Sequence, residues 1–379
     1  MRSIKEANVK GKRVLVRVDF NVPIKNGKVT DDKRIRAALQ TINYLIKKKA
    51  RIVLLSHLGR PNGKAVEEFR LQPVSNSLSK LIKRQVFYQP DCIGSDVEEA
   101  IDNLREGDVL LLENVRFYPE EEANDEKFAL KLAETAEIYV NDAFGTAHRA
   151  HASVHAITKY LPSYAGFLLL KEVQMLSKLL KNTKKPFIAI MGGAKVSDKI
   201  NVIENLMKKV DSLLIGGAMA FTFLKAIGHD VGQSRYEQDK VNLAKNLLRK
   251  YKKRIILPTD FTLDSKKTAS SSTIPKNAKG LDIGPETTAV YSEIIKKART
   301  IFWNGPLGLF EQKPFDKGTN AIAKAIARTN AMKIVGGGDS IAAIEKLKLE
   351  KKFTHVSTGG GASLEFLEGK TLPGIRALD

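Results

Sequence analysis

The side chains able to grip a small anion divide this 379-residue chain in two. The first half places Asp19 and Asn21, then His57 and Arg60, then Arg116, then His148, Arg149 and His151 just beyond short apolar runs, and adds Arg34 at the start of a helical pattern. The guanidiniums are planar forks of N–H donors that match carboxylate and phosphate oxygens. The second half offers glycine at the corresponding places: Gly192-Gly193, Gly216-Gly217, Gly305 and Gly308, Gly336-Gly337-Gly338, and Gly359-Gly360-Gly361. Glycine lets the backbone approach a ligand closely, and the N–H groups it exposes at helix starts bind phosphate. Lys195 and Lys199 follow the first glycine pair and reach phosphates as point charges. Asp339 follows the fourth cluster and suits a magnesium ion carried on those phosphates.

Taken singly, a strand-terminal arginine is ordinarily half of a surface ion pair, and a glycine pair is a tight turn. The segregation of the two types is what points to chemistry: one half grips a small acidic molecule, the other a nucleotide. His148, His151 and His155 lack the cysteine or carboxylate partners of a zinc site. No G-x-x-x-x-G-K-[ST] is present, no G-x-G-x-x-G follows the first strand, and no H-R-D and D-F-G pair occurs. These absences count against a P-loop, a dinucleotide fold with hydride chemistry, and a protein kinase.

The elements that must position these residues are short strands alternating with helices. Arg13–Val18, Arg51–Leu55, Val109–Leu112 and Ile138–Val140 read as strands, with a helix over Asp32–Lys48. Phe187–Ile190, Leu213–Ile215, Ile255–Leu257, Thr300–Phe302 and Lys333–Val335 repeat the scheme. That alternation predicts an α/β fold of two doubly wound, parallel-sheet (Rossmann-like) domains. Leu168–Leu180 has helical spacing and joins the halves, and Asn182–Pro186 breaks it. In open parallel sheets ligands bind beyond the carboxyl ends of the strands, where the residues above fall. Asp264–Lys279 reads as a polar loop, and Glu120–Glu122 as a solvated corner.

Composition sets the outer bounds. Hydrophobic residues make up 43% of the chain, enough for large cores and against wholesale disorder. The single cysteine, Cys92, excludes an intramolecular disulfide. No apolar h-region opens the chain and no spanning stretch occurs, so a cytoplasmic location without a membrane partner is the expectation. The net charge of +21 is uneven, +10 over residues 1–50 and −7 over 101–150. That is not the continuous stripe a duplex backbone needs, so no nucleic acid is required for the main role.

The segments RVDFNVP (Arg17–Pro23), SHLGRP (Ser56–Pro61), ENVRF (Glu113–Phe117), NDAFGTAHRAHAS (Asn141–Ser153), GGAKVSDK (Gly192–Lys199), WNGPLGLFE (Trp303–Glu311), GGGDS (Gly336–Ser340) and TGGGASLE (Thr358–Glu365) resemble phosphoglycerate kinases, in that family's order and over nearly the whole chain. The resemblance implies a 3-phosphoglycerate-binding domain over 1–165, to which 364–379 returns, a nucleotide-binding domain over 166–363, and a cleft between them. It implies that Asp19, Phe20, Asn21, Arg34, His57, Leu58, Gly59, Arg60, Arg116 and Arg149 hold 3-phosphoglycerate or 1,3-bisphosphoglycerate. Gly193, Lys195, Lys199, Gly216, Asn304, Glu311, Gly337, Gly338, Asp339 and Ser340 would hold ADP or ATP, with Asp339 on Mg²⁺. Arg34, Lys195 and the amides of Gly338 and Gly361 would attend the phosphoryl group in flight. The family is usually monomeric. Three positions depart from its pattern: Gln40 where proline is usual, Ala218 for a third glycine, and no tryptophan before GLDIGP (Gly280–Pro285). Two half-sites on two domains, and an acyl phosphate that water would hydrolyse, imply closure about 165–186 and 358–361.

Overall fold

A computed structural model describes residues 1–181 and 183–379; the predicted break at Asn182 lies outside the described residues. The chain divides into two compact units, Met1–Gln174 with Thr371–Asp379, and Met175–Lys370.

The first unit is built on six strands, β1 (Arg13–Arg17), β2 (Arg51–Leu55), β3 (Phe87–Tyr88), β4 (Val109–Leu111), β5 (Ile138–Asn141) and β6 (Ser163–Ala165), in the order β3-β4-β2-β1-β5-β6. All pairings are parallel. Helices α1 (Lys33–Lys47), α2 (Gln72–Ile82), α3 (Ser95–Asp102) and α4 (Glu126–Glu134) connect them. Strands β1, β2, β4 and β5 are almost wholly buried, as expected of a parallel sheet covered on both faces, and so read as largely apolar runs. Ile35, Ala38, Ile42 and Leu45 of α1 recur at helical spacing and pack with Val14, Val16, Ile52 and Leu54 in one core. The chain's last residues are held here: Gly374 N–H donates to the Ala147 carbonyl (2.8 Å) and Asn141 Nδ2 to the Gly374 carbonyl (3.4 Å).

Helix α5 (Phe167–Leu180) begins in this unit and ends in the next. Its first free N–H groups are satisfied by side chains: Phe167 donates to Thr41 Oγ1 (3.0 Å), and Leu168 and Leu169 to Asp142 Oδ1 (2.8 and 3.2 Å).

The second unit repeats the plan with β7 (Phe187–Met191), α6 (Ile200–Leu206), β8 (Ser212–Ile215), α7 (Met219–Ala226), α8 (Val241–Tyr251) and β9 (Ile255–Ile256). A three-stranded antiparallel sheet of β10 (Asp260–Leu263), β11 (Thr268–Ser270) and β12 (Gly280–Ile283) is inserted, in the order β11-β10-β12. Then come α9 (Pro285–Lys296), β13 (Thr300–Asn304), α10 (Lys317–Arg328), β14 (Met332–Gly336), α11 (Gly338–Lys346), β15 (His355–Val356) and α12 (Gly361–Leu367). The main sheet runs β9-β8-β7-β13-β14-β15, again parallel throughout. Residues 364–370 stay with this unit, where Asn205 Nδ2 donates to the Leu367 carbonyl (2.7 Å).

Two sequence readings are corrected. Asp264–Lys279 is not simply loop, because Thr268–Ser270 pairs antiparallel with β10. Glu121 is not on a solvated corner: it is fully buried, and its carboxylate accepts from Ser153 N–H (2.8 Å) and Oγ (2.6 Å). The run Glu120–Glu122 hides one inward residue between two outward ones, a pattern that helical geometry produces and charge counting misses.

Burial pushes the Asp142 carboxyl up to about 7. Between roughly pH 4 and 7 the native chain therefore keeps a proton that the unfolded chain has released, and the stability contributed by that proton is lost as pH rises through this window. Asp142→Asn keeps an accepting oxygen and cannot ionise. Its stability relative to the parent chain should rise from pH 5 to pH 8 in urea unfolding; an unchanged difference between the two pH values contradicts the assignment.

Candidate functional site

Parallel register aligns the carboxyl ends of the first unit's strands. Arg17 sits opposite Leu55 and Asn141, and Leu54 opposite Leu111, so the turns after β1, β2, β4 and β5 open along one edge. After β1, Asp19 is buried and accepts both contacts of Arg34 Nη1 (2.8 Å each) from the first turn of α1. Asn21 Oδ1 accepts from Gly59 N–H (3.0 Å), which ties the β1 turn to the β2 turn. Phe20 and Leu58 bury their side chains, leaving only backbone for a ligand. Arg116, itself buried, donates to the Gly59 carbonyl (2.8 Å) and lies 3.1 Å from Glu122. Arg60 is exposed, and Arg149 is half-buried with Nε toward His148 Nε2 (3.2 Å). The structure thus gathers Asp19, Asn21, Arg34, His57, Gly59, Arg60, Arg116 and Arg149 on the turns of one sheet edge.

Sequence reading passed over Arg17. It is fully buried at the end of β1, donating to Ser153 Oγ (2.8 Å) and the Val18 carbonyl (2.5 Å), with Nη2 3.3 Å from His57 Nδ1 and 3.9 Å from Glu121. A guanidinium carries no acceptor, so His57 Nδ1 must accept and its proton resides on Nε2. Burial, then the nearby guanidiniums of Arg17, Arg116 and Arg34, hold the His57 pKa well below its ordinary value. His151 is pushed down to about 3 by burial and by Arg116, Arg17 and Arg149. Burial together with Arg17 and Arg149 lowers even Arg116, to about 10. Each shift has one meaning: this edge is desolvated and positive, and an arriving anion relieves it. The available signal was an arginine inside the run VLVRV (Val14–Val18), otherwise apolar.

In the second unit the chain leaves β7 toward β8 and leaves β13 toward β14, so the strand order reverses between β7 and β13. Ligands of open α/β sheets lodge at such a switch point. A cavity of about 450 Å³ lies there, lined by Gly193, Ala194, Gly217, Phe221, Leu281, Leu307, Glu311 and Asp339 among others. Close backbone packing shapes it. Gly217 adopts φ +66°, and a Cβ there would stand 2.6 Å from the Gly193 nitrogen; a Cβ on Gly192 would stand 2.0 Å from the Pro306 carbonyl oxygen. Ala218, in contrast, has an ordinary right-handed conformation (φ −64°), so its methyl lines the cavity without strain. Lys279, just ahead of β12, lines the cavity too.

Lys199 Nζ donates to the carbonyls of Gly192 (2.5 Å) and Asn304 (3.3 Å), and burial lowers its pKa to about 8 against the partial support of Asp339 and Asp198. Asn304 is buried and its Nδ2 has no partner, a donor left over for a ligand. Ser340 Oγ accepts from Gly305 N–H (2.6 Å), and Trp303 Nε1 donates to the Gly305 carbonyl (2.8 Å), so two buried side chains fix the β13 turn. Lys195, Glu311, Gly338, Asp339 and Gly361 are exposed, and Gly337 half-exposed. Gly216 packs against Leu307, where a Cβ would fall 2.3 Å from a methyl carbon. No group of three or more histidine, cysteine or acidic side chains is arranged to hold a metal ion among the described residues. A single exposed carboxylate in the first turn of α11, close enough to Lys199 to raise its pKa, fits a Mg²⁺ ion carried mainly on phosphate oxygens rather than an all-protein cage.

Comparison with known proteins bears on both units together. The family model described as phosphoglycerate kinase matches residues 4–370. The phosphoglycerate kinase of Dictyoglomus turgidum is 55% identical, over 99% of this chain and 97% of that protein; that of Pelotomaculum thermopropionicum is 51% identical over 100% and 98%. Among solved structures, phosphoglycerate kinase from Coxiella burnetii superposes with a TM-score of 0.90 at 42% identity, over 99% of this chain and 98% of that one. The enzyme from Pyrococcus horikoshii gives 0.89 at 36% identity, over 100% and 98%. With both sheets, their order and nearly every residue accounted for, the chain belongs to the phosphoglycerate kinase family.

Proposed function

We propose that this chain catalyses reversible phosphoryl transfer between 1,3-bisphosphoglycerate and ADP, giving 3-phosphoglycerate and ATP, as a cytoplasmic monomer. The observation that carries the reading is the division between a guanidinium-lined sheet edge in one unit and an amide- and glycine-lined cavity at the switch point of the other. The first suits an acid bearing carboxylate and phosphate, with Arg34, Arg60, Arg116, Arg149 and the Nε2–H of His57 as donors. The second suits a nucleotide, with Lys195, Lys199, Asn304 Nδ2 and the amides of 337–340 toward its phosphates and Glu311 toward its sugar.

In the direction of ATP consumption a carboxylate oxygen of 3-phosphoglycerate attacks the terminal phosphorus, and the bond from that phosphorus to the bridging oxygen of ADP breaks. The attacking carboxylate is ionised at neutral pH, so no general base is needed, and the depressed pKa of His57 is consistent with a neutral donor rather than a base. The protein's work is positioning and neutralising charge on the transferring group. We assign that work to Arg34, Lys195 and the Gly338 and Gly361 amides. Asp339 would hold Mg²⁺, which supplies further charge neutralisation on the phosphates when bound. Water would hydrolyse the acyl phosphate, so the chemistry calls for closure on both ligands, with 165–186 and 358–361 absorbing the movement.

Arg34 is held by Asp19, which fixes its direction. In a coupled assay with ATP, Mg²⁺ and 3-phosphoglycerate, Arg34→Ala should lower kcat on the order of 10²-fold, the loss expected for one charge-stabilising donor, with nucleotide KM within about threefold. Arg34→Lys should recover part of the rate. Parent-like kcat in Arg34→Ala contradicts the role.

Lys199 provides a second check. Phosphate oxygens brought against its ammonium favour the charged form, so its pKa of about 8 should rise on nucleotide binding. Calorimetric titration with MgADP at pH 8.5, in buffers of different ionisation enthalpy, should show uptake of roughly half a proton or more. Lys199→Met should abolish the uptake. Absence of uptake in the parent chain removes Lys199 from the phosphate site.

A further inference from the structure

The edge of the second unit's sheet opposite the glycine turns carries a charge that the reaction does not use. Residues 175–370 hold 34 of the chain's 63 Lys and Arg but only 18 of its 42 Asp and Glu, a balance of +16 against +5 for the rest. Because the six strands are parallel, the linkers leading into them lie along one edge. These linkers are 181–186, 207–211, 252–254, 297–299, 329–331 and 347–354, and together they contain 13 Lys and Arg against two acids, Asp211 and Glu350. Every Lys among them is exposed. Asp211 is already spent on Lys185 (3.0 Å). In sheet order the row reads Lys252 to Arg254, Lys208 and Lys209, Lys181 to Lys185, Lys297 and Arg299, then Lys348 to Lys352. Five strand spacings of about 4.8 Å make it roughly 24 Å long.

Helix ends do not account for it. Each linker follows a helix C-terminus, which attracts cations, but six such ends supply about half a negative charge each, or roughly −3 in all, against a linker balance of +11. The first unit is an internal control. Its strand-entering linkers, 7–12, 48–50, 83–86, 103–108, 135–137 and 160–162, hold seven cations against three acids. Lys12 pairs there with Glu137 (2.7 Å) and Lys49 with Glu106 (3.9 Å).

We propose that this lysine edge is a docking surface for a single-stranded nucleic acid backbone, bound without regard to base sequence. A line of point charges, broken only at the linker into β14, which has none, complements a chain of phosphates. None of the exposed large apolar residues among the described ones (Met1, Phe87, Leu130, Ile227, Val290, Leu309) lies in these linkers. That absence disfavours a lipid surface, which needs apolar side chains to insert, and a protein partner, which needs an apolar or aromatic centre. Phe353 in the last linker is buried, and Tyr251, half-buried with Arg254 6.0 Å from its ring, is the one partly exposed aromatic beside the row among the described residues, so stacking contributes little and the phosphates carry the affinity.

Fluorescence anisotropy of a labelled 20-nucleotide oligouridylate tests this. The full chain should bind it with log Kd rising against log salt at a slope of about 4 to 6, as six to eight neutralised phosphates require. The variant Lys209→Glu/Lys253→Glu/Lys297→Glu/Lys352→Glu should bind at least tenfold more weakly with a shallower slope, and the corresponding four Gln substitutions should fall between. Both should keep parent phosphotransfer activity, which also shows that they fold. The first-unit variant Lys10→Glu/Lys48→Glu/Lys83→Glu/Arg105→Glu should bind within about twofold of the parent. Parent-like binding by the lysine-edge variants, displacement of the oligouridylate by MgATP, or tighter association with phosphatidylserine vesicles than with the oligouridylate would each overturn the proposal.

Discussion

Parallel strand pairing in strict register is the interaction on which the rest of the molecule depends. Because Arg17 stands level with Leu55 and Asn141, the turns that follow three different strands emerge at the same depth, and side chains more than a hundred residues apart share one edge. The same pairing levels Asn304 with Met191 and Gly336, which gathers the glycine turns of the second unit. A slip of one residue in either sheet would turn every side chain to the opposite face and scatter both sets.

Register alone leaves the functional groups mobile, and buried polar contacts immobilise them. In the first unit the guanidinium of Arg17 spends its donors on Ser153, the Val18 carbonyl and His57, so a charge with no route to solvent orients an imidazole at the edge. Asp19 does the same for Arg34. In the second unit Trp303 and Ser340 pin the Gly305 turn, and Lys199 is stretched over two carbonyls in a setting that lowers its pKa. Desolvated cations are unfavourable without a partner, and the partner we propose for them is the anionic ligand.

Much of this was legible in the residues, for identifiable reasons. Short β-branched runs broken by helical spacing announce parallel α/β units, and residues after such runs fall at the carboxyl edge whatever the details of packing. Other features depend on contacts that spacing does not encode. Glu121 looks solvated in a run of three acids and is fully buried; Arg17 looks like strand filler and orients His57. The short strands Phe87–Tyr88, Ser163–Ala165 and His355–Val356 are too brief to show periodicity and exist because a neighbouring strand is already in place. The lysine edge is invisible to a charge count by consecutive blocks, since its members come from linkers spread over 170 residues of sequence and meet only through sheet order.

The central claim is that recognition is divided, one ligand to each unit. Calorimetric titration of two variants with both ligands tests it most directly. Arg149→Ala should lose 3-phosphoglycerate binding while holding MgADP as the parent does, and Asn304→Ala should do the reverse. A variant that loses both ligands equally while remaining folded, or keeps both unchanged, would contradict the division.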